Sequence, residues 1–369
     1  MKKKHTIAID GRYLSGPKRG INQYVKNLIQ QISFLDSSLN FIIFTHENFK
    51  DSEILIHKNV KFIKTIKTIY PIWEHIVFPL YAYHKGAKLI HFTANTGGWI
   101  LSKLLGLKII VTIHDTYFMK NKKYYPQAST FRQLLGSFYR KLVVKKLALY
   151  SNKIITVSNF AKFEIHKYLN INLSKIVVIN NVLDPRYLNL LKKDQIFKKE
   201  NIVLIVGGDH PQKNVIKTID LLDSFCSDIL DNWKIVICGL SKTKEKLNSK
   251  KIKIITYYHL DETKLFELYK ISKILLFPSL SESFGIPLIE ALATKNQVVA
   301  MDAGAVREVI KNYGYIYKYN NGRDLKIKLS EAINIENYII NDDMKKYLTS
   351  FSNNSKKDSL LQTYSKIIN

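Results

Sequence analysis

Short runs of apolar, mostly β-branched residues recur along the chain. They alternate with longer stretches whose apolar positions return every three or four residues. In the first half the runs are TIAID (6–10), FIIFT (41–45), KFI (61–63), LIHFT (89–93), KIIVTI (108–113), KIITV (153–157) and KIVVI (175–179). In the second half they are IVLIV (202–206), KIVIC (234–238), KIIT (253–256), KILLF (273–277) and QVVAM (297–301). The runs are continuous rather than alternating, as expected of parallel strands covered on both faces. Between them, NQYVKNLIQQI (22–32) places Tyr24, Val25, Leu28 and Ile32 on one helical face. Two successive strand–helix series predict an α/β protein with two Rossmann-like domains facing each other across a cleft.

The expected domains are 1–183 and 202–350. Residues 184–201 read as the linker, because Asp184-Pro185 precedes the charge-rich LKKDQIFKKEN. The final segment, 351–369, contains KKDSLLQTYSKII (356–368), a single amphipathic helix without a strand. A length of 369 residues and 46% hydrophobic composition suit two such cores. Two cysteines, Cys226 and Cys238, make no disulfide framework and point to a reducing cytoplasm. The opening MKKKHTIAID has too short an apolar run for a secretion signal. No run approaches the roughly 18 apolar residues of a membrane span. The expectation is a cytoplasmic chain that at most touches the inner membrane face from the side.

The net charge is +27, from 57 Lys+Arg against 30 Asp+Glu. It fits an anionic partner, or a lysine bias spread over the whole chain, in about equal measure. A nucleic-acid-binding protein would cluster these cations with stacking aromatics in a recognised module. No such module is present, so nucleic acid is not expected. FRQLLGSFYRKLVVKKLALY (131–150) reads as a basic amphipathic helix. With MKNKKYY (119–125) it fits an anionic bilayer, or it packs its apolar side on its own sheet.

Four loops carry candidate chemistry, each following a strand at the edge where open α/β sheets bind ligands. After KILLF comes PSLSESFGIPLIEAL (278–292), with Pro278 ending the strand and Pro287 suited to a helix start. The backbone N–H groups from Ser283 through Phe284 and Gly285 to Ile286 form a phosphate cradle beside a helix N-terminus. Glu282 and Glu290 are then free to accept hydrogen bonds from hydroxyls. In VGGDHPQKN (206–214), Gly207 and Gly208 permit a tight turn, and Lys213 is placed to neutralise a diphosphate. In VTIHDTY (111–117), His114 can donate to a substrate hydroxyl or leaving group, and Asp115 can orient it or cap the loop. In IDGRYLSGPKRGINQY (9–24), glycines including Gly20 form a loop that could close over substrate, with Arg12, Lys18 and Arg19 facing phosphates. No D-x-D triplet occurs, so neither a metal nor another cofactor is expected.

Together these segments resemble the GT-B retaining glycosyltransferases of family 4, in the family's order and over nearly the whole chain. ESFGIPLIE looks like the family's E-x7-E signature, with Glu282 and Glu290 as its acids. HFTANTGG (91–98), which holds Asn95, ITVSNFAK (155–162) and VVINNVLD (177–184) resemble further family segments. The resemblance implies that Glu290 binds the nucleotide ribose, and that Glu282 with the following amides holds the donor sugar. It implies Lys213 on the diphosphate and His114 near the anomeric carbon. It also implies a final helix that crosses back to the first domain. Departures occur: Gly208 and Gln212 stand where an arginine is usual, Val182 where a glycine is, and Gln297 where a proline is. The implied activity is retaining, metal-independent hexosyl transfer from a nucleotide-diphosphate sugar, GDP-mannose first. The implied acceptor is a lipid-linked oligosaccharide of O-antigen or capsule assembly. A protein binding nucleic acid or an anionic surface through its charge, and a GT-B nucleotide-sugar epimerase, are the alternatives.

Overall fold

A computed structural model describes the chain except residues 1–4, 16–19, 34, 36–38, 47–57, 121–130, 194, 196, 209, 241–248, 250, 259, 337 and 369, and the side chains of 131–134. Lys18, Arg19, all of MKNKKYY beyond Met119 and Lys120, and the side chains of Phe131, Arg132 and Leu134 therefore lie outside the described residues.

The described residues form two compact units: the first runs to Met119, resumes after the undescribed 121–130 as far as Val182 and takes up again at Asn353, and the second holds Lys120 and Leu183–Ser352. The first contains a seven-stranded sheet in the order β3-β2-β1-β4-β5-β6-β7. Its strands are β1 (His5–Asp10), β2 (Leu39–Thr45), β3 (Val60–Lys64), β4 (Ala87–Phe92), β5 (Lys108–Thr112), β6 (Lys153–Thr156) and β7 (Ile176–Val178). The second contains a six-stranded sheet in the order β10-β9-β8-β11-β12-β13. These strands are β8 (Glu200–Val206), β9 (Lys234–Cys238), β10 (Lys253–Tyr257), β11 (Ser272–Phe277), β12 (Gln297–Met301) and β13 (Tyr315–Tyr317). Every pairing is parallel. Both are Rossmann-like doubly wound sheets. Strand order reverses between β1 and β4 in one and between β8 and β11 in the other, and such sheets bind ligands at this switch point.

The cores follow from the strand pattern. Ile7 and Ile9 face one layer and Ala8 the other, so β1 feeds two apolar clusters at once. In the second unit Val203, Ile205, Ile235, Ile237, Ile274 and Leu276 share a core with Leu222 and Leu325 from helices. The helix Ile286–Ala293 buries Leu288, Ile289 and Leu292 completely. Each such side chain contributes about 1.5–3 kcal/mol, which fixes the helix and the loop that enters it.

Two segments differ from the sequence reading. The segment 184–201 is more than a linker: Pro185–Lys193 is a helix that buries Tyr187 and Leu191, and β8 starts at Glu200. Tyr315–Tyr317 forms a strand that the apolar pattern does not announce. The final helix, Asn353–Ile368, returns to the first unit. It docks through Leu360 and Tyr364, whose hydroxyl lies 2.8 Å from His91 Nδ1.

Candidate functional site

In the second unit the loops after β8 and β11 meet at the switch point. After β8 the chain makes a short turn, Pro211–Lys213, and passes through Asn214 at φ 55° into the helix Val215–Phe225. Leu280 N donates to Gln212 O at 2.8 Å, and the Gln212 side-chain amide donates to Ser281 O. These bonds bring Lys213 and Glu282 together, with Nζ 2.9 Å from Oε2. Both remain reachable, at 31% and 17% side-chain exposure. Gly207 and Gly208 do not use left-handed backbone. Gly207 instead provides room: a Cβ there would lie 3.3 Å from Val215 and 3.5 Å from Lys213 Cβ.

Two other glycines shape the Glu282 loop. Gly285 at φ 89° turns the chain into the helix Ile286–Ala293, whose N-terminus no side chain caps. Pro287 has no N–H and Leu288 N donates to Gly285 O at 3.0 Å, so the favourable element for an anion at this end is the helix dipole. Pro287 is the second helical residue, not the first. Gly304, at φ 64°, lies against Glu282 from the β12 side, and Ala305 N donates to Glu282 O at 2.8 Å. A Cβ at Gly304 would fall 2.1 Å from Glu282 O.

Glu290 is partly buried one turn into the helix. Desolvation pushes its carboxyl up to about 7; the Tyr269 hydroxyl pulls it down, and Asp184 and Glu262 add to the rise. Arg186 offsets part of that negative field, and it is itself held by Asp184 at 3.0 Å and Glu262 at 3.1 Å. The carboxyl is therefore poised to change charge near neutrality.

In the first unit His114 and Asn95 come together at the carboxyl edges of β5 and β4. His114 N donates to Asn95 Oδ1 at 2.7 Å, and His114 Nε2 lies 2.9 Å from Thr93 O. A carbonyl only accepts, so Nε2 carries the proton. Burial lowers the His114 pKa, which Thr93 and Asp115 raise in part. The neutral ring thus presents Nδ1 as an acceptor, a correction to the expected donor. Asp115 accepts from Tyr117 N at 3.1 Å and caps the loop. Gly20, at φ 55° and exposed, starts the helix Ile21–Ser33.

Arg12 is also a correction. It does not face a phosphate. Its guanidinium is 4% exposed and bonds Asp10 at 2.6 Å and Glu74 at 3.3 Å, both carboxylates being fully buried. Tyr70 and Trp73 stack on it at 4.3 and 4.4 Å. Two acids enclose one cation, and the remaining charge is met by Thr96, 2.9 Å from Glu74, and by the Tyr139 hydroxyl. Sequence reasoning missed Glu74, Tyr70 and Tyr139. Glu74 lies on a π-helical turn, Trp73–Val77, a geometry frequent at functional sites. Its one visible signal was an acid alone in the apolar YPIWEHIVFP.

The helix Phe131–Tyr150 has two apolar faces. Val143, Val144, Leu147 and Ala148 are buried, whereas Leu135, Phe138, Leu142 and Leu149 are more than half exposed. Lys145 and Lys146 are exposed beside them. The expected packing face exists, but it is not the one that holds Leu135, Phe138 and Leu142. Among the described residues no helix is long and apolar enough to cross a membrane.

Residues 189–358 match the model of glycosyl transferases group 1, and residues 19–187 match that of glycosyltransferase family 4. An O-antigen chain mannosyltransferase of Salmonella typhimurium is 30% identical over 258 residues, 64% of this chain and 67% of the relative. The chain belongs to glycosyltransferase family 4. An uncharacterized glycosyltransferase of Methanocaldococcus jannaschii is 29% identical to this glycosyltransferase over 341 residues, 86% of this chain and 85% of the relative. The crystal structure of Anabaena HepE in complex with UDP-glucose covers 98% of this glycosyltransferase and 99% of that chain, at TM-score 0.68 and 14% identity. The likeness at that identity is one of fold, and the fold is GT-B.

Proposed function

We propose that this glycosyltransferase moves a hexose, with retention at the anomeric carbon, from a nucleotide-diphosphate sugar to a hydroxyl of a lipid-linked glycan. The observation that carries the reading is the Lys213–Glu282 pair at the switch point of the second sheet, beside an uncapped helix N-terminus. In this reading the diphosphate takes Lys213 and the backbone donors of Ser283–Ile286. Glu282 is thereby released to accept hydroxyl hydrogens of the sugar, and Glu290 accepts from the ribose. The anomeric carbon loses its bond to the diphosphate oxygen and gains one to the acceptor oxygen on the same face. The departing phosphate oxygen takes the acceptor's proton. Lys213 and the helix dipole stabilise the charge that develops on the diphosphate, and the reaction is proposed to need no metal.

GDP-mannose is the proposed donor, supported by the mannosyltransferase relative; dTDP-rhamnose and UDP-hexoses are the competitors. The exposed apolar face of Phe131–Tyr150 with its lysines supports docking to an anionic bilayer that carries the acceptor. The decisive experiment incubates the full chain with GDP-mannose, dTDP-rhamnose, UDP-glucose and UDP-galactose, and measures nucleotide release with and without polyprenyl-diphosphate saccharides. Acceptor-stimulated release from one donor, with an α-linked product from an α-linked donor, is the expected result. No release from any of them, or inversion of the anomeric centre, would overturn the reading.

A further inference from the structure

In the first unit a chain of side-chain hydrogen bonds leads from the final helix to the neighbour of His114. The Tyr364 hydroxyl, on Asn353–Ile368, lies 2.8 Å from His91 Nδ1. His91 belongs to β4, and its Nε2 lies 2.9 Å from Thr112 Oγ1 at the end of β5. Thr112 Oγ1 lies in turn 2.8 Å from the hydroxyl of Tyr24, on the helix Ile21–Ser33. Tyr364, His91 and Thr112 are fully buried, whereas Tyr24 is half-buried. The rings of Tyr24 and His114 meet in a T, with centroids 4.6 Å apart and planes at 85°.

Counting hydrogens gives this chain a direction. Burial, and then the neighbouring His114, push the His91 pKa down to about 3, so the ring is neutral and carries a single N–H. With that hydrogen on Nδ1, the Tyr364 hydrogen would be sealed in the core with no acceptor among the described residues. Native proteins seldom leave a buried donor so. Tyr364 therefore donates to His91 Nδ1, and His91 Nε2–H donates to Thr112. Among the described residues the Thr112 hydroxyl then has the Tyr24 oxygen as its acceptor. The surplus hydrogen falls to Tyr24, the one member of the chain that reaches solvent. Tyr24 is thus held at both ends, by its helix and by Thr112. His114 is pinned at Nε2 by Thr93 O, 2.9 Å away, and the Tyr24 ring bears on its side in a favoured aromatic geometry. Together the two contacts fix the direction in which His114 presents Nδ1.

We propose that Tyr24 is a positioning residue for His114, set from the returning final helix through Tyr364, His91 and Thr112. The proposal rests on the transferase reading above, with His114 beside the donor sugar, and its test separates the two. The full chain is labelled with ¹⁵N-histidine, and the ring nitrogens of His91 and His114 are followed by NMR in the wild type and in Tyr24→Leu, Tyr24→Phe and Tyr364→Phe. Both rings are expected as neutral Nε2–H tautomers in the wild type. Tyr364→Phe removes the donor to His91 Nδ1, so the His91 signals should move towards a mixture of tautomers. Tyr24→Leu should displace the His114 signals and leave the His91 tautomer as it is, while Tyr24→Phe, which keeps the ring contact, should restore the His114 signals. With the preferred donor, Tyr24→Leu should lower kcat about tenfold and change KM by less than about twofold. Tyr24→Phe and Tyr364→Phe should each cost about threefold, and the double variant no more than either, because both break one chain. If His91 is the Nδ1–H tautomer in the wild type, if Tyr24→Leu leaves the His114 signals in place, or if the two Phe variants lose activity additively, the positioning chain is refuted even where donor turnover is normal. If the ring signals respond as described but no donor is turned over, the chain stands and the transferase reading falls.

Discussion

Replacing Gly304 by alanine tests whether the Glu282 loop is held by backbone packing. The new Cβ would meet Glu282 O at 2.1 Å and Glu282 N at 2.6 Å, and real Cβ atoms essentially never come closer than 3.0 Å. Backbone cannot swing aside as a side-chain tip can, so the loop must retreat by about 0.9 Å. The Ala305 N–Glu282 O bond of 2.8 Å is then lost, at about 1 kcal/mol. An L-residue at φ 64° adds about 1–2 kcal/mol. The total of about 2–3 kcal/mol corresponds to a fall of about 4–12 °C in Tm for a unit of this size. A displacement of roughly 1 Å at a reacting group costs on the order of 10²-fold in turnover. Gly106→Ala is the control, because Gly106 also has positive φ, at 72°, but a Cβ there meets nothing within 4 Å. It should lose only the conformational part of the stability and no activity. The assay pairs thermal melts with nucleotide release from the preferred donor. If Gly304→Ala melts and turns over like Gly106→Ala, the loop is not held as described.

Glu290 gives a pH signature. Its carboxyl titrates near 7 in the folded chain against an ordinary 4.5, so it is neutral below and charged above. Hydrogen bonds from ribose hydroxyls favour the charged form; nucleotide affinity should rise through about pH 7 with a proton released on binding, and Glu290→Gln should be flat by calorimetry. The same shift means that this group's contribution to stability is greatest below pH 4.5 and falls as pH rises towards 7. Arg12→Met leaves Asp10 and Glu74 buried without their cation, and the chain should lose about 3–5 kcal/mol. Chemical denaturation measures this, and Arg12→Met with Asp10→Asn and Glu74→Gln should recover most of it; an unchanged midpoint in the single variant would contradict the ion-pair account. Phe138→Glu with Leu142→Glu should abolish salt-sensitive sedimentation with anionic liposomes at an unaltered melting temperature, and retained binding would exclude that face.

Parallel strands were legible because both of their faces are buried, which leaves continuous apolar runs such as Ile202–Val206. Tyr315–Tyr317 escaped notice because it is three residues long and two of them are tyrosines. The helix Pro185–Lys193 was hidden by Lys192 and Lys193, although Tyr187 and Leu191 stand one turn apart and are its buried side. Lys213 and Glu282 were each visible beside a strand end, but their ion pair spans 69 residues and exists only through the β8–β11 pairing. Arg12 misled for the same reason. Its neighbourhood of glycines reads as a loop, whereas its partner Glu74 is 62 residues away. Local pattern fixes elements and their edges; it does not say which charges those edges bring together.

The central claim, that the Lys213–Glu282 site binds a nucleotide diphosphate, is tested most directly by titrating UDP, GDP and dTDP into the wild type and Lys213→Ala. The account predicts saturable binding of one nucleotide to the wild type, stabilising it by linkage. It predicts a loss of about tenfold or more in Lys213→Ala, as one charge-assisted bond of about 1.5–3 kcal/mol requires. Equal affinity in the two proteins, or no binding of any of the three, would contradict it.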